Sequence, residues 1–461
     1  MEVVENYNKY FDFLTNAINE KEISHFSLLN AITKRNNIYV EANYQIESIL
    51  KSSREEVVIQ IYVPKGEKLG VSSFTLSEGD SFETFEEEYR DALFIANQSL
   101  SKEFKLPTEG DKELDDSHIK YDDFYSKKFL ENFENNTLSL FISEKLKELK
   151  SMISEKSDGR VSLSLNSFEY HTTFSKKHLQ TSIGVKKSYQ KDTSYMECII
   201  TAKDNNSQEE TEHIVYKKIN DFYEFDYKSF FGEQAQYARD TILAVKPEEF
   251  KGIFCLGEIS TPDFFLPEPP NNSAIMFSSG ALKYQKISNY EEGNEIVKAK
   301  KDTLTVHLNP LLKDNNASAP FDFNGISGQN LSIIENGVFK QFYSDIRNAS
   351  YLNIKPTGPM GSIVVQEGKK SIKELCDEKE YVEIVNFGWF NPDITSGNFS
   401  AEVRLGYILK DGKKTPFKGG LFTGNIFKLL EDCELSKEVI EEAGYKGPKA
   451  IKFYKGELVG L

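Results

Sequence analysis

The spacing of hydrophobic positions changes character along the chain. Near the start, Tyr10, Phe11, Leu14, Ala17 and Ile18 share one helical face, which predicts a helix from Tyr7 to Asn30. Strand-like segments follow at Ile38 to Tyr44, Ile46 to Lys51 and Val57 to Val63. The last of these alternates Val57, Ile59, Ile61 and Val63 against Val58, Gln60 and Tyr62. A turn at Pro64 to Gly66 leads to a strand from Leu69 to Leu76. Phe82, Phe85, Tyr89, Ala92, Leu93 and Ala96 then recur at helical spacing. Together these elements predict a small α+β unit over residues 1–100.

Ser101 to Asp123 is polar and aperiodic and contains Pro107 and Gly110, the texture of a linker. A second α+β unit is expected over residues 124–245. It opens with an amphipathic helix, Leu138 to Ile153, and continues through strands begun by the alternating Val161, Leu163 and Leu165. A helix from Ser229 to Val245 closes it. From Lys246 the pattern shifts to short apolar runs punctuated by Asn336-Gly337, Glu367-Gly368, Asp411-Gly412 and Gly419-Gly420, which are hairpin and turn signals. Residues 246–461 are therefore expected to form a β-rich domain, with helices at Ile426 to Leu430 and Leu435 to Ala443. The fold class is α+β: N-terminal units with helices on mostly antiparallel sheets, then a β-rich C-terminal domain.

Composition narrows the function. The 461 residues are 39% hydrophobic and include 34 Phe and 23 Tyr, ample for several packed cores. The net charge of −16 disfavours binding to phosphate backbones, so no nucleic-acid partner is expected. The N-terminal residues lack the basic and apolar regions of a signal peptide, and no apolar run has membrane-spanning length. A cytoplasmic protein without a membrane partner is expected. The four cysteines, Cys198, Cys255, Cys376 and Cys433, show no C-x-x-C spacing and are expected to be inert, buried or half-buried thiols.

Candidate chemistry is sparse. None of the six histidines precedes a glutamate. His171 and His178 form the one close pair, and a separation of seven puts them on opposite faces of a strand. No G-x-S-x-G elbow appears. The run Gly419 to Asn425 lacks the Lys-Ser/Thr of a phosphate-binding loop and is expected to be a tight loop with Asn425 capping a helix. Asp322 to Gly325 has the makings of an Asx-turn, and Gly397 with Asn398 could centre a type I′ turn.

Several motifs of the last domain carry a resemblance. They are Pro320-Phe-Asp322, Gly325, Ile334 to Gly337, Asn391-Pro392, Gly397 to Ser400 and Thr423 to Asn425. The chain resembles the TldD/PmbA family of peptidases, also called modulators of DNA gyrase. Catalytic members carry a His-Glu-x-x-x-His segment that binds zinc, and a cysteine near the C-terminus. The comparable stretches here, Gly252 to Phe265 and Ala443 to Pro448, hold no histidine and no such cysteine, and Asn324 stands where the family usually has glutamate. The resemblance therefore implies a PmbA-like member without zinc ligands. It would have no cofactor of its own, zinc being expected only in a partner subunit. The partner would be a zinc-bearing TldD-like subunit or a second copy in a dimer, and the substrates peptides. Asp322, Gly325, Gly397, Asn398 and Ser400 would lie at the cleft. Two alternatives stay open: a metallopeptidase in its own right using ligands such as His171, Cys255 or Glu258, or a homo-oligomeric peptide-binding protein.

Overall fold

The structure is a computed structural model. It describes the chain except for residues 1, 125–132, 134, 136, 220–221, 267–276, 314, 394–395, 443 and 461.

The first sheet has seven strands: β1 (His25–Val40), β2 (Ile46–Lys65), β3 (Lys68–Ser77), β4 (Leu100–Lys102), β5 (Val161–Thr181), β6 (Lys186–Asp204) and β7 (Glu210–Ile219). Their order is β4-β3-β2-β1-β5-β6-β7, antiparallel throughout. The residues expected to make two N-terminal units thus contribute to one sheet, joined where β1 pairs with β5 from Ser27–Thr181 to Val40–Phe168.

Four helices cover one face of this sheet. Helices α1 (Glu2–Asn19) and α2 (Phe82–Gln98) pack Tyr10, Leu14, Phe85 and Tyr89 against Leu28, Ile59, Ile61 and Phe74. Helices α3 (Leu138–Lys156) and α4 (Tyr227–Leu243) pack Ile142, Leu149, Phe231 and Ala235 against Phe168, Tyr170, Met196 and Cys198. The strand period of two sends these residues to the helical face and their neighbours to the other.

Two expectations near the N-terminus need correction. The first helix ends at Asn19, not Asn30: Lys21 takes a left-handed φ of 63°, and the Glu22 N–H returns to the Ala17 carbonyl. Residues 25–30 belong to β1 because they pair with Val57 to Tyr62 and bury Phe26 and Leu28. The segments Ile46 to Lys51 and Val57 to Val63 are one strand, since the polar residues 52–56 between them find ladder partners in Ala31 to Arg35.

The C-terminal residues build two further sheets. Strands β8 (Phe250–Leu256), β9 (Val306–Asn309), β10 (Leu331–Glu335), β11 (Val338–Phe339), β12 (Ser362–Val365), β13 (Glu380–Trp389) and β14 (Asn398–Lys410) are followed by β15 (Lys413–Phe417), β16 (Leu421–Asn425), β17 (Cys433–Leu435), β18 (Val439–Glu442), β19 (Tyr445–Pro448) and β20 (Ile451–Val459). One sheet runs β11-β10-β9-β12-β19-β18. The other runs β13-β8-β20-β16-β14, and pairing of β14 with β13 closes it into a barrel. Phe254, Phe422 and Phe453 of the barrel share a core with Val306, Leu308 and Ile363 of the neighbouring sheet. The Asn-Gly and Asp-Gly hairpins form as expected, with φ of 50° and 80° at Asn336-Gly337 and 49° and 76° at Asp411-Gly412. Among the described residues, five short helices lie between these strands: α5 (Ser260–Phe265), α6 (Gly280–Tyr284), α7 (Ile346–Leu352), α8 (Ile372–Leu375) and α9 (Ile426–Glu431).

The helix expected from Leu435 to Ala443 is instead a pair of strands. Its last position lies outside the described residues. Leu435 ends β17, and β18 folds back on β19 across Gly444, whose φ is 91°. Tertiary pairing overrides the helix-like spacing of Glu438, Glu441 and Glu442.

Candidate functional site

The face of the first sheet away from its helices is only half covered. At one end Leu29, Leu179 and Tyr189 pack under Ile119 of the linker, Phe124 just beyond it and Phe321 of the C-terminal part. At the other end the face is open, and it forms one wall of a cavity of about 630 Å³. His171 of β5, Tyr195 of β6 and Lys218 of β7 stand on that wall. Asp263 and Leu266 at α5, the loop at Asn316 and Ala317, and Gly444 form the opposite side. The two stretches compared with the family's zinc-bearing segments, 252–265 and 443–448, therefore both reach this cleft.

A row of rings crosses the open face. Tyr39 of β1 meets His171 edge-on at 5.7 Å, His171 lies 5.4 Å from Tyr195, and Tyr195 stacks on Tyr216 of β7 at 6.3 Å. Tyr216 is exposed. Carboxylates fix the two middle rings: His171 Nε2 lies 2.9 Å from Glu169 Oε2, and the Tyr195 hydroxyl donates to Glu197 Oε2 at 3.1 Å. Burial and that hydrogen bond raise the Tyr195 pKa, so the phenol keeps its proton.

The opposite wall is fastened by amides. Asn315 Oδ1 accepts from the Ser362 hydroxyl at 3.0 Å and the Ala317 N–H at 3.0 Å, while Asn315 Nδ2 donates to the Glu442 carbonyl at 3.0 Å. Asn316 Nδ2 reaches the Ser194 carbonyl at 3.3 Å. Lys191 donates to the Asn316 carbonyl at 2.6 Å, and burial pushes its pKa down to about 8. Lys217 of β7 pairs with Glu442 of β18. The first sheet, the loop at residue 316 and the β18–β19 hairpin are thus held as one frame.

The cleft offers rings, backbone and a few charges. Among the described residues, no group of three or more His, Cys, Asp or Glu side chains could hold a metal ion. The three ligands considered from sequence are not gathered there: His171 faces the cleft, Cys255 is buried in barrel strand β8, and Glu258 pairs with Lys449 at 2.6 Å. The described residues that line the cleft do not fit a zinc ion. His178, on the other face of β5 as expected, packs beside Tyr7 of α1.

None of the five residues expected at the cleft lines this cavity. Asp322 and Gly325 form a tight turn at the covered end of the sheet. Asp322 Oδ1 accepts from the N–H groups of Asn324 at 2.9 Å and Ile326 at 3.0 Å, the Asx-turn expected. Burial raises the Asp322 pKa to about 6. Gly325 has a φ of 82°, and a Cβ there would stand 2.9 Å from Val185 Cγ1. Gly397, Asn398 and Ser400 lie on the barrel. Only Gly397 has positive φ, so this is not the type I′ turn expected, which needs it at both central positions. Asn425 ties the turn to α9: its Nδ2 donates to the Ser396 carbonyl at 2.8 Å and Asn398 Oδ1 at 2.9 Å, and its Oδ1 caps the helix. Asn398 and Asn425 border a different cavity, of about 830 Å³. Sequence reasoning missed Tyr39, Tyr195 and Tyr216. Their signal is an aromatic residue at the outward position of each strand, which becomes visible only once the strand register is known.

Comparison with known proteins agrees with this architecture. Residues 272–453 match the family model described as the PmbA/TldA metallopeptidase C-terminal domain. The Metalloprotease PmbA homolog of Buchnera aphidicola subsp. Acyrthosiphon pisum is 27% identical over 289 residues, 60% of this chain and 62% of that protein. An uncharacterized protein of Methanocaldococcus jannaschii is 27% identical over 31% of this chain, and the Metalloprotease TldD homolog of the same Buchnera is 27% identical over 27% of it. The chain spans 36% and 29% of the length of those two relatives. Among solved structures, TldE from Thermococcus kodakarensis superposes with a TM-score of 0.75 at 18% identity, covering 98% of this chain and 100% of that one. A candidate modulator of DNA gyrase from Bacteroides thetaiotaomicron gives 0.80 at 17%, covering 98% and 99%. Residues 272–453 therefore match the C-terminal domain of the PmbA/TldA metallopeptidases, and the chain shares its fold with TldE along nearly its whole length.

Proposed function

We propose that this chain is a zinc-free subunit of a cytoplasmic TldD/PmbA-type peptidase complex, in which it shapes the chamber and holds peptide. The observation that carries the reading is the cleft itself. The chain keeps a cavity where the two zinc-bearing stretches of the family would meet, yet lines it with His171 and Tyr195, the middle of the Tyr39–His171–Tyr195–Tyr216 row, in place of a ligand set. Rings on a sheet face take up apolar side chains of an extended peptide. Strand β7, at the end of the sheet, offers a backbone edge for strand addition. A buried amide frame keeps the wall in place without ordering cost at binding.

The test is reconstitution. The purified chain is assayed alone, and again mixed with a zinc-bearing TldD-like subunit, for complex formation by size-exclusion chromatography and for cleavage of unstructured peptides. The reading expects a mixed complex, chelator-sensitive cleavage only in the mixture, and peptide binding by the lone chain. Chelator-sensitive cleavage by this chain alone would overturn it.

A further inference from the structure

The barrel brings together two cysteines that the sequence keeps far apart. Cys255 lies in β8, in register with Glu383 of β13 on one side and Lys452 of β20 on the other. Paired residues of neighbouring strands project to the same face, so these three side chains share one. Cys376 ends α8, its N–H donating to the Ile372 carbonyl at 2.9 Å. Glu378, just beyond, pairs with the buried Lys452 at 2.6 Å, which ties the end of α8 down over this face. The thiols of Cys255 and Cys376 lie close enough to each other to interact electrostatically. Cys255 is buried, whereas Cys376 is half-buried and keeps some access to solvent.

The two sulfurs are electrostatically unequal. The neighbouring Cys376 thiol, then burial, raise the Cys255 pKa. Seen from Cys376, the Cys255 thiol lowers its pKa below the usual thiol value; burial and the Glu383 carboxylate oppose this, and Tyr381 and the Lys452 ammonium support it. Cys198 and Cys433 are plainly different, each pushed up to about 12 by burial. Reactivity follows thiolate character and access, and of the four sulfurs only Cys376 has both.

We propose that Cys376 is a hydroperoxide-reactive thiol and Cys255 its resolving partner, the two closing to a disulfide. In the first step Cys376 Sγ attacks the hydroperoxide. A sulfur–oxygen bond forms, the oxygen–oxygen bond breaks, and the leaving alkoxide or hydroxide takes a proton to give alcohol or water. In the second step Cys255 Sγ attacks Cys376 Sγ, the sulfur–oxygen bond breaks, and water leaves with the Cys255 proton. Two thiols lose two electrons and two protons, and one hydroperoxide is reduced. The new bond joins strand β8 to the end of α8. It stands independently of the peptide-binding reading.

The experiment uses the full chain, reduced and then freed of reductant. It is treated with hydrogen peroxide, quenched with N-ethylmaleimide and digested without reductant for peptide mass mapping. The expected product is one intramolecular cross-link, Cys255 to Cys376, two hydrogens lighter than the reduced peptides, with Cys198 and Cys433 still alkylated after unfolding. C255S is expected to stop at a sulfenic acid on Cys376 that dimedone captures, and C376S to leave Cys255 unoxidised. Absence of the cross-link in the native chain, cross-links only between chains, or earlier oxidation of Cys198 or Cys433 would each overturn the proposal. The native-chain map decides the matter even if a variant fails to fold.

Discussion

The ammonium of Lys187 lies 2.9 Å from the carbonyl oxygen of Gly325. Lys187 is buried and also donates to the Leu114 carbonyl at 2.7 Å and the Ser327 hydroxyl at 2.6 Å. One strand residue of the first sheet thus holds both the linker and the Asp322–Gly325 turn. K187M leaves those acceptors buried and unpaired, and is expected to cost about 2–4 kcal/mol. Urea denaturation checks this; an unchanged midpoint would show that the node carries no stability. G325A, strained by its positive φ and pressed against Val185, is expected to lose about 2 kcal/mol.

Asp322 makes a pH prediction. Its folded pKa of about 6 lies above the ordinary 3.8, so the folded protein binds the proton more tightly than the unfolded chain. Its contribution to stability is present at low pH, declines as pH rises from about 4 through 6, and stays lost above; the range is up to about 3 kcal/mol. D322N keeps an oxygen for the Asn324 and Ile326 N–H groups. The variant is expected to gain stability relative to the parent on going from pH 5 to pH 7.5. Thermal midpoints that run parallel across that interval would refute it.

His25 acts in the opposite sense. Burial pushes its pKa down to about 4, so the folded state holds it neutral beside the Ser182 hydroxyl. Its contribution is complete above about pH 6.5 and is lost as pH falls toward 4, again up to about 3 kcal/mol. H25Q removes this titration. Its stability difference from the parent should shrink as pH drops from 7 to 4.5, and a constant difference would count against the assignment.

For the cleft, Y195A is expected to weaken binding of an unstructured, fluorophore-labelled peptide roughly tenfold, about 1.4 kcal/mol, while Y195F keeps the ring and changes it little. N398A and S400A, on the barrel and outside the cavity, are expected to bind as the parent does. Fluorescence anisotropy separates these outcomes. Equal loss in N398A and Y195A would move the peptide site away from the ring row.

Much of the framework is legible in the residues. The alternation of Val57 to Val63, the helical repeat of Phe82 to Ala96 and the Asn-Gly hairpins each encode a local geometry that the structure keeps. What the sequence hides is non-local. Residues 25–30 look helical until Val57 to Tyr62 pair with them, and residues 435–443 until β17 finds β20 and β18 finds β19. The glycine motifs at 325 and 397 stand out in one dimension because they hold tight joints. Tyr195 and Tyr216 acquire meaning only when two strands are laid side by side.

The long pairing of β1 with β5 also has a kinetic side. Strand β1 meets its hairpin partner β2 within a short stretch of chain, but its other edge waits for residues 168–181. As the polypeptide emerges during synthesis, that edge stands unpaired over its full length until the second half of the sheet arrives. Non-local strand pairing is slow, and an open edge invites strands from other molecules. The seam that makes one sheet of the N-terminal half is thus also the interval in which a nascent chain is most exposed to mispairing.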